Sequence, residues 1–136
     1  ITLMKDGLCS ENLKNESKYK TNDNLETDEY YFDIGMKSFN ELHELIRNHD
    51  IIFWNGTLGV VENDQYKQGS ELLVNTLIQE LTSFKEKKVI VGGGDTGGFV
   101  NKYNNNFKSS PHFSIISLAF SSVIGGVPSG GIPLDN

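Results

Sequence analysis

Cysteine, proline and long hydrophobic runs are all scarce in this sequence of 136 residues. The single cysteine, Cys9, excludes an internal disulfide and favours a reducing compartment. No apolar run approaches the ~20 residues that a membrane-spanning helix requires, and no signal-peptide segment is visible. We therefore expect a soluble, cytoplasmic protein with no membrane partner.

Positive charge is also in short supply. Lysine and arginine number 12 against 18 aspartates and glutamates, which gives a formal net charge of -6. Because proteins hold nucleic-acid backbones mainly with Lys and Arg, this balance argues against a nucleic-acid partner. It does not exclude a nucleotide site, which needs only local donors. Hydrophobic residues at 37% and charged residues at 22% fit one globular domain or a large piece of one.

Helical periodicity occurs in two segments, residues 39–49 and 73–84, where apolar residues recur at helical spacing. Ser38 and Glu41 form a capping-box pattern, which predicts that the first helix begins at Ser38. A third helix is predicted to begin near Phe99.

Two short apolar runs, residues 51–54 and 89–91, show no alternation and predict strands that are buried on both faces. Strands and helices alternate along this part of the chain, so we expect an α/β fold with a parallel sheet and helices on its faces. Residues 11–29 are polar and rich in Asn, Lys and Glu, which predicts a solvated loop whose simplest role is connection.

Two loops, residues 55–62 and 92–98, follow the predicted strands. Ligands of open α/β sheets bind beyond the carboxyl ends of the strands, and helix N-termini there hold anions. These loops are therefore the places where chemistry is expected.

The second loop contains a glycine pattern that has two interpretations. Gly92, Gly94 and Gly97 satisfy G-x-G-x-x-G, but residues 111–122 contain no acidic residue for a ribose, so half of the dinucleotide fingerprint is absent. Phe99 stands where a Walker A loop would continue with Lys. The glycines indicate either a phosphate-binding loop or a tight strand-to-helix turn.

Acidic residues in the two loops add a second indication. Asp95 beside a helix start is either an N-cap or the ligand of a magnesium ion that separates it from nucleotide phosphates. Glu62 is the first acidic residue after the first strand, where it could accept hydrogen bonds from ribose hydroxyls. An exposed Glu is more often simply solvated.

The two loops together resemble the phosphoglycerate kinase family. That family carries W-N-G-P-x-G-V-F-E and, about thirty residues later, G-G-G-D-[ST]; here residues 54–62 read WNGTLGVVE and residues 92–96 read GGGDT. Residues 1–6 are similar to the family's I-T-L-P-V-D strand, residues 33–35 to its D-I-G-P turn, and residues 112–114 to its H-V-S. The resemblance extends across nearly the whole chain.

The resemblance implies that residues 1–136 are part of a C-terminal, nucleotide-binding domain: an incomplete three-layer, Rossmann-like parallel sheet with helices on both faces. The family transfers a phosphoryl group between 1,3-bisphosphoglycerate and ADP with Mg²⁺, as a phosphotransferase with a carboxyl group acceptor. By the same resemblance Glu62 would hold the ribose, and Asp95 would ligate the metal of bound ADP or ATP. The nucleotide-binding residues implied are Asn55, Gly56, Glu62, Gly93, Gly94, Asp95 and Thr96.

Some positions depart from the family pattern. Thr57 and Met36 replace prolines, which loosens two turns without removing a polar ligand. More seriously, Ile116, Ser117 and Leu118 stand where the family has three glycines. Side chains there would disfavour positive φ and block a phosphate from backbone amides. The alternative is a displaced glycine loop at residues 125–131.

No residue is assigned a catalytic role, because the family's catalytic lysine and its N-terminal domain have no counterpart in this sequence. We expect the chain alone to be inactive and 3-phosphoglycerate to be a partner only through that absent domain. A complementary fragment or self-association would cover strand edges. The alternatives are a degenerate, non-catalytic relative that serves as a nucleotide-binding or interaction module, and a structural remnant with no ligand.

Overall fold

The computed structural model of the chain describes residues 1–103 and the backbone of residues 113–116. The secondary-structure elements are β1 Asp6–Ser10, β2 Lys18–Thr21, β3 Tyr30–Ile34, α1 Met36–Arg47, β4 Ile51–Asn55, α2 Gln68–Ser83, β5 Lys88–Gly92, α3 Gly94–Tyr103 and β6 Phe113–Ile116. The expectations for His112 and for residues 117–119 and 125–131 lie outside the described residues. None of the helices within the described part is long and apolar enough to cross a membrane.

The chain forms two compact units. The first comprises residues 1–48 and 58–76, and the second comprises residues 49–57 and 77–136. An antiparallel sheet in the order β2-β1-β3 lies in the first unit, and a parallel sheet in the order β4-β5-β6 lies in the second. The α/β class is therefore confirmed, while the antiparallel sheet was not predicted from the sequence.

The antiparallel sheet corrects the expectation that residues 1–6 form a strand. Pairing starts only at Asp6, which lies opposite Thr21 of β2. The backbone amide of the preceding residue, Lys5, donates instead to the Ser38 hydroxyl at 2.8 Å. Lys5 is thus held in part by a side chain of α1, outside the sheet.

Helix α1 begins two residues before the position that the capping box predicted. Its N-cap is Gly35, which has no side chain to cap the helix. The carboxylate of Asp6 takes that role, because it accepts hydrogen bonds from the amides of Lys37 at 3.0 Å and Ser38 at 2.8 Å. Burial would raise the pKa of Asp6, but hydrogen bonds from Ser38, Tyr19 and Lys37 outweigh burial and lower it.

The polar segment 11–29 is more ordered than a solvated loop. It contains β2 and one 3-10 turn, and it ends at Glu29, whose side chain is 1% exposed. Lys18 and Lys20 each place an ammonium 2.7 Å from the Glu29 carboxylate, and these hydrogen bonds lower the pKa of Glu29 to about 2. A buried carboxylate that is paired in this way explains how so polar a segment folds onto the sheet.

The parallel sheet confirms both predicted strands and changes one expectation. Val89 and Val91 of β5 are fully buried, as predicted for a central strand. On β4, however, Ile51 is 67% exposed and Phe53 is 51% exposed, whereas Trp54 is buried. Among the residues that the structure describes, β4 is an edge strand of this sheet, and Ile51 and Phe53 lie on its exposed face.

Helices α2 and α3 both begin earlier than the periodicity indicated. The predicted stripe of α2 is buried at Leu73, Leu77 and Leu81. Helix α3 begins at Gly94 rather than near Phe99, so most of the glycine loop belongs to its first turns.

Candidate functional site

Both predicted loops start from one edge of the parallel sheet in the second unit. Asn55, the last residue of β4, pairs in register with Gly92, the last residue of β5. Because the two strands are parallel, the segments that follow them leave the sheet on the same side. The predicted site residues Asn55, Gly56, Gly93, Gly94, Asp95 and Thr96 therefore lie together at this edge.

Gly93 is one of the residues through which these segments meet. Its φ angle is 89°, in the left-handed region, which side chains disfavour. A Cβ atom there would also lie 2.9 Å from Oδ1 of Asn55. Glycine is thus required at residue 93 by its own backbone and by the Asn55 side chain.

The backbone of Gly56 is held on both sides. Its amide donates to the hydroxyl of Thr96 at 2.8 Å, and its carbonyl accepts from the indole Nε1 of Trp54 at 2.6 Å. Gly56 has a φ of 99°, so it too needs the left-handed region. These bonds fix the turn after β4 against the first turn of α3.

Thr96 and Asp95 occupy different surroundings within that first turn. The Thr96 side chain is buried, with 2% exposure, and bonds Gly56. Asp95 and Gly94 are exposed, and a Cβ atom at Gly94 would meet no other atom within 4 Å. Asp95 lies inside the helix at its second residue, so the interpretation as an N-cap is wrong. Of the described residues in this first turn, the exposed ones thus present open backbone at Gly94 and the carboxylate of Asp95.

Glu62 belongs to the first unit and is described with it. Glu62 is exposed and lies a few residues after two backbone anchors. The amide of Leu58 donates to the Ser70 hydroxyl at 2.9 Å, and the amide of Val60 donates to the carbonyl of Phe32 at 2.9 Å. The loop that carries Glu62 is thus tied to β3 and to the start of α2.

Asp33 supports this loop, although no sequence pattern predicted that role. Its carboxylate is buried and accepts hydrogen bonds from the amides of Ile34 at 2.8 Å and Gly69 at 3.0 Å. Burial raises the pKa of Asp33, and the two amide bonds offset this rise only in part. A Cβ atom at Gly59 would lie 2.6 Å from Oδ1 of Asp33. The only signal in the sequence was an aspartate at the end of a strand, in the D-I-G motif.

The polar segment also supports the neighbourhood of Glu62. Gln65 accepts a hydrogen bond from the amide of Ser17 at 2.7 Å and donates one to the carbonyl of Asn15 at 3.2 Å. Asn63 donates to the carbonyl of Leu13 at 2.9 Å. The segment that was expected only to connect strands therefore braces the residues that follow Glu62.

Metal-ligating side chains do not cluster in the part of the chain that the structure describes. Within residues 1–103 and 113–116, no three His, Cys, Asp or Glu side chains lie close enough to hold an ion together.

The fold and the loops define an α/β protein with a glycine-rich helix start at the carboxyl edge of a parallel sheet. The model of the phosphoglycerate kinase family matches residues 1–126. The chain therefore belongs to the phosphoglycerate kinase family.

Individual relatives agree with this assignment. The phosphoglycerate kinase of Wigglesworthia glossinidia brevipalpis is 33% identical over 98 residues, which are 71% of this chain and 24% of that protein. The phosphoglycerate kinase of Baumannia cicadellinicola is 32% identical over 126 residues, or 93% of this chain and 31% of that protein. The chain thus spans a quarter to a third of the length of these relatives.

A solved structure shares the fold. The phosphoglycerate kinase from Coxiella burnetii superposes with a TM-score of 0.74 at 23% identity, covering 98% of this chain and 33% of that one. At this identity the likeness supports the fold alone.

Proposed function

We propose that the chain is the latter part of the C-terminal, nucleotide-binding domain of a phosphoglycerate kinase and that it binds ADP or ATP with Mg²⁺. The observation that carries this proposal is the edge formed by Gly93, Gly94 and Asp95, where open backbone and one exposed carboxylate lie beside Asn55. In the complete domain we expect the Rossmann-like, three-layer arrangement with helices on both faces.

Each predicted site residue has a distinct proposed task. The amides of Gly93 and Gly94 would bind phosphate oxygens, because neither residue has a side chain of its own and Gly94 is exposed. Asn55 would lie beside the same phosphates, and Glu62 would accept hydrogen bonds from the ribose. Asp95 would hold Mg²⁺, which takes one or two protein carboxylates and completes its shell with phosphate oxygens and water. Bound Mg²⁺ would neutralise part of the negative charge of the phosphates.

Calorimetric titration with ADP, with and without Mg²⁺, tests this function. We expect wild-type binding to require Mg²⁺, and Asp95→Ala to weaken it at least about tenfold, or ~1.4 kcal/mol. Without Mg²⁺, Asp95→Ala should instead bind ADP more tightly than the wild type does, because removing the carboxylate removes its repulsion of the phosphates. Asp28→Ala, which removes the same charge from another exposed site, should change neither titration. Equal affinities of wild type and Asp95→Ala with Mg²⁺ would contradict the metal role.

Phosphoryl transfer itself is proposed for a longer protein. The chain covers 31% and 33% of two full phosphoglycerate kinases, so the 3-phosphoglycerate site and the remaining nucleotide contacts would come from the rest of such a protein. That complementary part, or a second copy, would cover the exposed face of β4. A coupled assay with the purified chain should show no ATP formation from 1,3-bisphosphoglycerate and ADP. Measurable turnover would refute the proposed dependence on another part.

A second candidate is a non-catalytic relative that retains nucleotide binding or serves as an interaction module. It is favoured by Ile116, which ends β6 in register with Gly92, at the position of the first glycine of the family's triplet. A branched residue at this edge would restrict a phosphate cradle. Assay of the corresponding full-length protein separates the candidates: activity supports the enzyme, and Mg-ADP binding without activity supports the module.

A further inference from the structure

The sequence contains one Asn-Gly dipeptide, Asn55-Gly56, at the carboxyl end of β4. Glycine hinders the backbone nitrogen that follows an asparagine less than any other residue, because it has no side chain. That nitrogen can attack the asparagine side chain, which is one reason why asparagine is chemically labile in proteins. Asn55 is exposed at the edge of the sheet from which both site loops start.

We propose that Asn55 is a deamidation site, that the fold restrains its reaction by binding the Gly56 amide, and that the product disables the phosphate edge. The last step rests on the proposed function, whereas the modification itself does not. In the reaction the Gly56 nitrogen loses its proton and bonds Cγ of Asn55, while the Cγ–Nδ2 bond breaks and ammonia leaves. Water then opens the succinimide ring to aspartate or isoaspartate. Asparagine and water thus become an acid and ammonia.

Several contacts hold the dipeptide away from this reactive geometry. The Gly56 amide donates to the Thr96 hydroxyl at 2.8 Å, so the attacking nitrogen is engaged. Asn55 is paired with Gly92 in the sheet, and extended backbone directs a side chain out of the strand while the next nitrogen continues along it. Oδ1 of Asn55 lies beside Gly93. Attack on Cγ therefore requires this edge to open locally.

Deamidation should consequently follow the population of the opened edge. Local opening is fast compared with slow covalent chemistry, so the rate of modification depends on the fraction of molecules that are open. Amide hydrogen exchange of Gly56 requires the same release of its N–H group. The deamidation rate and the exchange rate should therefore change by the same factor when the restraint changes.

The product would alter the charge of the edge. Aspartate at residue 55 adds a carboxylate beside Gly93, on the edge that already carries the exposed Asp95. Like charges repel, so a second carboxylate opposes the approach of phosphates. Isoaspartate also adds a methylene group to the main chain and displaces Gly56. Either product should weaken phosphate binding.

Incubation at mildly alkaline pH, followed by peptide mass spectrometry and detection of isoaspartate, measures the modification without a ligand. We expect Asn55 to deamidate in the folded chain at least about tenfold more slowly than in the urea-unfolded chain. Asn24 is the internal control, because it is exposed but followed by leucine, and it should react far more slowly than Asn55 in the unfolded chain. Equal Asn55 rates in folded and unfolded chains, or no product at Asn55 in either, would overturn the proposal.

Three substitutions test the restraint. Thr96→Val removes the acceptor of the Gly56 amide, Thr96→Ser keeps it, and Thr76→Val changes a buried threonine on α2 as the matched control. We expect Thr96→Val to raise both Asn55 deamidation and Gly56 exchange about tenfold, with near wild-type rates in the other two. If Thr96→Val does not fold, wild type in urea below its unfolding midpoint gives the same comparison. Faster Gly56 exchange without faster deamidation would overturn the restraint.

Calorimetric titration with Mg-ADP tests the consequence of the modification. Asn55→Asp reproduces the charge of the product, and Asn55→Ala is its control because it removes the same amide without adding charge. We expect Asn55→Asp to bind about tenfold more weakly than Asn55→Ala. Equal or tighter binding by Asn55→Asp would refute the loss of function. If the wild type does not bind Mg-ADP, the proposed function is refuted, whereas the deamidation rates still decide whether Asn55 is a modification site.

Discussion

Ser38 bonds the Asp6 carboxylate twice: its amide nitrogen lies 2.8 Å and its hydroxyl oxygen 2.6 Å from Oδ1 of Asp6. The aspartate is the first residue of β1, and the serine lies in the first turn of α1. A strand residue thus satisfies helix amides that a local cap usually satisfies. The contact couples formation of α1 to formation of the antiparallel sheet.

Removal of this cap should destabilise the chain. Asp6→Ala would leave the amides of Lys37 and Ser38 without their acceptor in a buried place, so we expect a loss of about 2–3 kcal/mol in the free energy of unfolding. Urea denaturation followed by circular dichroism measures this loss. Asp28→Ala, at an exposed position, should change the value by less than ~0.5 kcal/mol. Similar values for both variants would show that the cap is dispensable.

Acid should unfold the chain through the carboxylates that the fold stabilises. The pKa of Glu29 is lowered to about 2 by its hydrogen bonds with Lys18 and Lys20, so its contribution is complete above the usual value of 4.5 and is lost as pH falls towards 2. The pKa of Asp6 is lowered as well, so it acts in the same direction below 3.8. Urea midpoints measured from pH 7 down to pH 2 should fall steeply in wild type and less steeply in Glu29→Gln. Parallel pH curves would contradict this assignment.

Substitution at the glycine edge should depend strongly on position. Gly93→Ala places a side chain at positive φ and against Asn55, so we expect it to cost about 1–3 kcal/mol of stability. Gly94→Ala is the control: it lies in α3 with open space around it, and alanine favours helix by up to ~1 kcal/mol. Thermal denaturation of both variants checks the difference. Adding Asn55→Gly to Gly93→Ala should recover the steric part of the loss.

Loss of the Gln65 contacts should loosen the polar segment. Gln65→Ala removes the acceptor for the Ser17 amide and the donor to Asn15, which we expect to cost about 1 kcal/mol. Limited proteolysis should then cut residues 11–17 several times faster. Gln79→Ala, at an exposed position of α2, is the matched control. An unchanged cleavage rate would mean that the Gln65 contacts do not hold the segment.

Local sequence information was sufficient where neighbours in the chain determine the structure. Strands β4 and β5 were predicted because their apolar runs are short and bounded by turn residues. The start of α1 was not, because a distant group sets it: Asp6 caps α1 and moves its start ahead of Ser38. In α3 the amide of Gly97 donates to the carbonyl of Gly93 at 3.0 Å. The glycines that the sequence pattern predicted to form a loop therefore form the first turn of a helix.

The same distinction applies to the candidate site. The meeting of Asn55 with the glycine loop followed from parallel strands, whose carboxyl ends share one edge. The bond from Gly56 to Thr96 joins residues 40 apart, and no local pattern indicates it. Strand β2 was not predicted for a related reason. The ion pairs of Glu29 with Lys18 and Lys20 join residues that are not adjacent in sequence. The polar composition by itself predicted a solvent-exposed loop.

The pairing of β4 with β5 has a consequence for the chain while it is being made. Ile51 lies opposite Lys88, so β4 leaves the ribosome well before its neighbouring strand exists. At translation speeds of ~5–20 residues per second, this interval lasts roughly 2–7 s. During that time Ile51, Phe53 and Trp54 are available to other nascent chains. Co-translational chaperone demand should therefore peak between synthesis of β4 and synthesis of β5.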